Sequence, residues 1–185
     1  RARTRTRRCD SVCPVGIDGD PVAIRWIKRF IVDQVENSDY PRILDDQITE
    51  NGKRVAIIGA GPGGLSAAYY LRRKGYAVTV FESQESAGGM LRYGVPSYRL
   101  PDAELDKDID YIISLGVDVR FNTHIGKDIA FEKLLDDYDA VFLSTGLSVP
   151  SSMRIHGEDH TRVLPGLQVL ADVANGRDPG IGKKV

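Results

Sequence analysis

The chain has 185 residues with a formal net charge of −1, and 42% of its residues are hydrophobic. This length allows one domain with an extension, and the hydrophobic content is sufficient for a packed core. A nearly neutral chain without a helix of interleaved basic and aromatic residues is not typical of nucleic-acid-binding proteins, and no apolar run reaches the roughly 18 residues of a membrane span. We therefore expect neither nucleic acid nor a membrane as partner. Since no signal-peptide core is present, we expect a cytoplasmic location.

Residues 1–50 are predicted to form a helical appendage. Five arginines stand among the first eight residues, and we interpret them as a solvated leader or a subunit contact. Apolar residues at helical spacing predict a helix over residues 21–35, with an apolar face that would pack against the following domain. Asn51 and Gly52 predict the turn at which that domain, residues 51–185, begins.

The appendage also contains the two cysteines of the chain, Cys9 and Cys13, with Pro14 directly after the second. A four-iron cluster needs four ligands, and a proline after a ligand cysteine is common in cluster-binding loops. Two thiolates cannot hold such a cluster alone, so either preceding residues, another segment or another subunit supplies the rest, or the site has degenerated. Structural thiols or a disulfide remain alternatives. The three scattered histidines lack metal-ligand spacing.

Residues 54–82 carry the pattern of a dinucleotide-binding unit of strand, helix and strand. An apolar run from Val55 to Ile58 predicts a strand buried on both faces, and residues 65–71 predict a helix. Glycines between them permit a tight turn, close approach of the backbone to a diphosphate, and close helix packing. The diphosphate would sit at the helix N-terminus, where unpaired N–H groups and the helix dipole favour an anion. The predicted cofactor contacts here are Gly59, Gly61, Pro62, Gly63 and Gly64.

Glu82 follows the second strand of this unit. Its carboxylate is expected to accept hydrogen bonds from ribose hydroxyls and to disfavour a 2′-phosphate. Gly88 and Gly89 predict a second bend, which would bring backbone N–H groups to the phosphates from the opposite side. An acid followed by a glycine pair resembles the flavoproteins with two dinucleotide-binding domains, whereas NAD dehydrogenases generally lack the pair. FAD is therefore the expected cofactor.

The segment after the glycine pair is predicted to form a rigid loop over the cofactor, because Gly94 and Pro96 mark two further bends. Its two arginines are available to offset the charge of a phosphate or of a reduced flavin. An ordinary solvated loop is the alternative interpretation. The predicted cofactor contacts in this segment are Met90, Leu91, Arg92, Val95 and Arg99.

The remaining sequence predicts one more helix and two more strands that bear on the site. The helix is predicted over residues 101–115, and a strand follows at Val117 to Phe121. Another strand, predicted to be buried, runs from Asp139 to Ser144. It ends in Thr145 and Gly146, where glycine permits close approach of the backbone to a ligand. A simple turn at the end of the strand is the alternative.

Three runs, Gly88–Pro101, Phe121–Asp128 and Asp139–Gly146, resemble the small (beta) subunit of glutamate synthase and its relatives. That family of iron–sulfur flavoproteins includes the N-terminal part of dihydropyrimidine dehydrogenase and the large subunit of an electron-bifurcating transhydrogenase. The resemblance covers essentially the whole chain. It implies FAD in this first nucleotide domain, NAD(P)H in a second domain inserted into it, and other redox subunits or domains as partners.

The resemblance also implies roles for single residues. The backbone at Ile125 would pair with the edge of adenine, and Cys9 and Cys13 would belong to the ligand set of a 4Fe-4S cluster. The family would place further cysteines just upstream, near Arg5, where this chain has none. The glycine turn of the NAD(P) domain would follow Val185. We therefore expect the cluster ligands and the flavin domain to be only partly present in this chain.

Our hypothesis for the fold is an α/β chain in which a Rossmann-like FAD-binding domain with a parallel sheet, truncated before a second nucleotide domain, follows a helical iron–sulfur appendage. The hypothesis for the function is the flavin-binding part of an NAD(P)H-linked oxidoreductase, inactive as a fragment. Electrons would pass between nicotinamide, flavin and iron–sulfur clusters. No catalytic side chain is predicted, because the cofactor carries the chemistry. Two alternatives remain: an NAD-binding dehydrogenase domain without flavin, and a non-catalytic scaffold that docks another redox subunit.

Overall fold

The structure is a computed structural model that describes residues 12–34 and 48–182. The chain divides into two units, Arg1–Gln47 and Ile48–Val185, and each is described by itself. Cys9, Arg5 and Val35 lie outside the described residues. The predicted division at residue 50 into a cluster-binding appendage and a flavin domain stays a prediction.

The described part of the first unit is helical. A short 3-10 helix spans Pro14–Ile17, and helix α1 spans Ile24–Asp33, which places it inside the predicted helix over residues 21–35. An ion pair four residues apart, with 2.6 Å between Arg29 Nε and Asp33 Oδ2, supports its last turn. Four large apolar side chains of α1 are exposed, and Phe30 among them retains 65% of its accessible surface. The predicted packing of this apolar face stays a prediction.

The described part of the second unit alternates strands and helices around one sheet. Its elements are β1 (Arg54–Ile58), α2 (Pro62–Arg73), β2 (Ala77–Phe81), α3 (Met90–Tyr93), α4 (Asp102–Ser114), β3 (Asp118–Arg120), α5 (Phe131–Asp137), β4 (Ala140–Leu143) and α6 (Gly166–Ala174). The strands are all parallel in the order β3-β2-β1-β4. This arrangement confirms the predicted α/β fold with a Rossmann-like parallel sheet.

The core of this unit lies on both faces of β1 and β2. Val55, Ala56 and Ile57 are consecutive and all buried, as expected for a central parallel strand. On one face, α2 and α4 cover the sheet, where Leu65 and Leu105 join the buried cluster. On the other face, the smaller cluster includes a leucine of α5. The sheet is therefore held rigidly at the strands whose ends build the site.

The prediction of a buried fourth strand was wrong in one respect. β4 forms, but it is an edge of the described sheet and pairs there with β1 alone. Phe142 and Leu143 are exposed, at 43% and 62% of their accessible surface. A run of apolar residues indicates a strand but does not reveal which faces other elements cover, and this explains the error. Within residues 12–34 and 48–182, no helix has the length and apolar character to cross a membrane.

Candidate dinucleotide-binding site

A cavity of about 780 Å³ opens at the carboxyl edge of the sheet. Strands β2 and β3 are added to the sheet on one side of β1, and the chain then returns past β1 to add β4 on its other side. This reversal is the topological switch point at which open α/β sheets bind ligands. Residues directly after β1, β2 and β4 line the cavity, among them Gly59, Glu82 and Ser144.

The first glycine turn joins β1 to α2 with no room for side chains. The Gly59 N–H donates to the Phe81 carbonyl over 2.8 Å, which ties the turn to β2. Gly59 has a φ of +100°, and a Cβ there would stand 2.5 Å from the Ser144 carbonyl oxygen. A Cβ on Gly64 would overlap the Gly59 carbonyl oxygen. The turn is therefore compact because glycine occupies both positions.

Helix α2 begins at this turn with its N-terminus towards the cavity. Gly61 is the N-cap residue, and no side chain caps the helix. The first-turn N–H groups of a helix have no acceptor within the helix, so the Gly63 N–H at the cavity is available to an anion. Gly61, Pro62 and Gly63 line the cavity, while Gly64 lies behind them against the turn.

A second glycine bend touches the first. The Gly88 N–H donates to the Ala60 carbonyl over 2.9 Å. A Cβ on Gly89, whose φ is +50°, would come within 2.8 Å of the Gly61 Cα, closer than real side chains are found. Gly89 lines the cavity, whereas Gly88 lies behind it. The two bends therefore form one continuous backbone surface at the N-terminus of α2.

Glu82 is the buried carboxylate of this site, with 7% of its surface exposed. Its Oε2 accepts the Ala60 N–H over 2.7 Å, and its Oε1 accepts the Gln84 N–H over 2.9 Å. Glu82 also lines the cavity, next to Ser83. The carboxylate thus holds the glycine turn in place at the edge of the cavity. Its predicted contact with ribose hydroxyls stays a prediction.

Further parts of the cavity wall come from the segments after β3 and β4. Ile125 lines it together with Thr123 and His124, and Thr145 and Gly146 line it after β4. Ser144 Oγ donates to the carbonyls of Ile58 and Gly59, over 2.9 and 3.0 Å. This contact fastens the end of β4 to the first glycine turn. Three of the predicted residues, Ile125, Thr145 and Gly146, therefore lie around the same cavity as the glycine bends.

The loop after the glycine pair places only one of its predicted residues on the cavity. Met90 lines it, whereas Leu91, Arg92, Val95 and Arg99 do not. Arg92 instead forms ion pairs with two carboxylates of α4, and Arg99 is exposed, with its guanidinium 5.9 Å from the neighbouring tyrosine ring. Direct contacts of these four residues with a cofactor stay predictions.

Two parts of the wall were missed by the sequence reasoning. Tyr93 lines the cavity from α3, and its hydroxyl donates to the Ser86 carbonyl over 3.2 Å. Burial is the main cause that raises the pKa of the Tyr93 phenol above its usual value. Helix α6 and the residues after it supply Leu167, Gln168, Ala171, Asp172, Asn175 and Arg177. The amphipathic spacing of residues 166–174 could have indicated the helix, but not its place beside the cavity.

The predicted cluster ligands are described only in part. Cys13 is half-buried and caps the start of the 3-10 helix, where its carbonyl accepts the Gly16 N–H over 2.9 Å. In the part of the chain that the structure describes, no three His, Cys, Asp or Glu side chains come together as a metal site. Since Cys9 lies outside that part, the cluster stays a prediction.

Comparisons with known proteins agree with this fold. The model of an NAD(P)-binding Rossmann-like domain matches residues 57–124. The chain is 36% identical to the glutamate synthase [NADPH] small chain of Mycobacterium tuberculosis, over 88% of this chain and 33% of that protein. The chain is a homologue of glutamate synthase small chains. The resemblance predicted from the sequence is thereby confirmed.

This homology extends to other oxidoreductase subunits. The chain is also 41% identical to the NADP(+)-dependent formate dehydrogenase subunit beta of Moorella thermoacetica, over 96% of this chain and 28% of that protein. It therefore spans about a third or less of the length of these relatives. Among solved structures, Mycobacterium tuberculosis FprA in complex with NADPH superposes with a TM-score of 0.61 at 22% identity, over 65% of this chain and 28% of FprA. That similarity supports the fold.

Proposed function

We propose that the second unit is the FAD-binding part of an NAD(P)H-linked iron–sulfur oxidoreductase. The observation that carries this proposal is the contact between the two glycine bends, Gly59 to Gly61 and Gly88 to Gly89. A site for a nicotinamide dinucleotide needs only the first bend. The second bend adds backbone N–H groups on the opposite side of the same helix N-terminus, as the sequence resemblance to FAD-binding flavoproteins implies.

The described residues fit the ADP half of such a cofactor. A Cβ on Gly89 would strike Gly61, so the absence of side chains at the two bends lets a diphosphate approach the backbone N–H groups there. Glu82, already oriented by two backbone N–H groups, would accept the hydroxyls of the adenosine ribose. The backbone at Ile125 would face adenine across the cavity. FAD, when bound, would supply transfer of a hydride and of single electrons.

The protein groups in this proposal bind and orient the cofactor, and none is assigned a catalytic role. Relatives named for NADP(+) and NADPH support a nicotinamide as the electron partner. Cys9 and Cys13 are the proposed contribution of this chain to a 4Fe-4S cluster. Of these two thiols the described residues include Cys13 alone, so we derive no electron-transfer step through the cluster.

A second candidate is an NAD-binding site without flavin. The match of residues 57–124 to an NAD(P)-binding domain favours it. The buried carboxylate of Glu82 would then select NAD over NADP, because a 2′-phosphate would bring a second negative charge next to it. The two candidates differ in the nucleotide that the protein retains.

Identification of that nucleotide tests the proposal. The full-length protein is purified without added cofactor and denatured, and the released nucleotides are separated by chromatography with absorbance and fluorescence detection. We expect FAD in about equal amount to protein. NAD in place of FAD would support the second candidate, and the absence of both, together with failure of either to bind on addition, would overturn both candidates.

A further inference from the structure

Arg92 lies behind the second glycine bend, where it has three polar contacts. Its Nε donates to the Ala87 carbonyl over 2.7 Å. Its guanidinium also pairs with Asp106 and, over 3.3 Å, with Asp102. The Arg92 side chain is 14% exposed, and both aspartates belong to α4. Arg92 therefore connects the residue before the bend to a helix that packs on the sheet.

The bend that Arg92 holds is the one that completes the cavity. A Cβ on Gly88 would meet the Arg92 Cβ at 3.1 Å and a methyl of Leu105 at 2.9 Å, so the back of the bend rests on both side chains. The Gly88 N–H continues this connection to the Ala60 carbonyl of the first turn. A chain of contacts thus runs from α4 through Arg92 to the surface where the two bends meet.

The charge on Arg92 is compensated within this chain of contacts. A guanidinium that is already paired with two carboxylates and does not line the cavity gives little attraction to a phosphate. Its fixed fork of donors can instead satisfy the bend carbonyl and the helix carboxylates together. This is the geometry of a group that acts through the backbone.

We propose that Arg92 is a positioning residue, which sets the affinity for the diphosphate of the cofactor by holding the Gly88–Gly89 bend against the first turn. This inference rests on the proposed function, since it assumes that a dinucleotide binds where the bends meet. It assigns to Arg92 an indirect effect in place of the charge compensation expected from the sequence.

The test compares two arginines that are matched in structure but differ in position. Arg72 is also 14% exposed, donates its Nε to the Leu115 carbonyl over 2.8 Å, and pairs with Glu50, but it does not line or support the cavity. The variants are Arg92→Met, Asp106→Asn and Arg72→Met in the full-length protein. The Kd for FAD is measured by flavin fluorescence after removal of bound cofactor, and the Tm of the apoprotein is measured in parallel.

We expect Arg92→Met to raise the Kd for FAD by about tenfold, corresponding to one lost charge-assisted hydrogen bond that holds the bend. Asp106→Asn should raise it by about threefold, because this ion pair is half exposed. Arg72→Met should lower the Tm to a similar extent but leave the Kd within about twofold of wild type. If Arg92→Met does not fold, Asp106→Asn carries the comparison.

The outcomes separate this inference from the proposed function. A wild-type Kd in both Arg92→Met and Asp106→Asn, or an equal rise in Arg72→Met, would overturn the positioning role while leaving the FAD site in place. A wild-type protein that binds no FAD would overturn the proposed function. If that protein bound NADH instead, the same variants titrated with NADH would decide the positioning role.

Discussion

Replacement of Gly89 by alanine tests the contact between the two glycine bends. Gly89 has φ +50° and ψ −131°, which alanine reaches only with strain of about 1–3 kcal/mol. Its Cβ would stand 2.8 Å from the Gly61 Cα, so the bends must separate by about 0.6 Å to reach an ordinary contact of 3.4 Å. A shift of this size exceeds the tolerance of roughly 0.5 Å for an organised binding site.

We expect Gly89→Ala to weaken FAD binding by about 10- to 100-fold, corresponding to the loss of one charge-assisted hydrogen bond of about 1.5–3 kcal/mol. Gly52→Ala is the matched control, because Gly52 has φ +77° but open space around its Cβ position. Both variants should lose stability in denaturant unfolding, whereas the FAD titration should change for Gly89→Ala alone. Wild-type affinity in Gly89→Ala, or an equal loss of affinity in Gly52→Ala, would refute the reasoning.

Two further predictions concern titratable residues of the cavity. Glu82→Gln should lower the free energy of unfolding of the apoprotein by about 1–3 kcal/mol, because the two backbone N–H groups bond to different carboxylate oxygens and glutamine replaces one of these oxygens by an NH2 group, which cannot accept. Glu85→Gln serves as control because Glu85 is exposed. Equal unfolding curves for the two variants would contradict the predicted role of the Glu82 carboxylate. The raised pKa of Tyr93 means that the folded state favours the neutral phenol. Its contribution to stability is therefore complete below pH 10.0 and is lost as the pH rises through the native pKa. Denaturant unfolding between about pH 8 and pH 11 should show a steeper alkaline loss for the wild type than for Tyr93→Phe, and parallel profiles would disprove it.

The first glycine turn and the strand before it could be predicted from the sequence because the relevant signals are local. The spacing of Gly59, Gly61 and Gly64 predicts a tight turn, and the structure has that turn, with no room for a Cβ at Gly59 or Gly64. The run Val55 to Ile58 contains no polar side chain, which is typical of a parallel strand covered on both faces. In the structure its first three residues are buried and Ile58 is half-buried.

The rest of the site depends on long-range packing, which single residues do not reveal. Arg92 was predicted to offset the charge of a phosphate or of a reduced flavin, but the sequence did not reveal its ion pairs with α4, which begins ten residues later. The exposure of Phe142 likewise depends on which elements cover β4. Helix α6 follows a long loop and lines the cavity. The spacing of its apolar residues predicts a helix, but it does not predict that the helix lies beside the cavity.

The visible absorption spectrum of the full-length protein, purified without oxygen and recorded before and after addition of NADH or NADPH, tests whether electrons pass from the nicotinamide to flavin and cluster. We predict flavin bands over a broad iron–sulfur shoulder, both of which lose intensity when the nicotinamide is added. A colourless protein, or a flavin spectrum that neither nicotinamide changes, would contradict it.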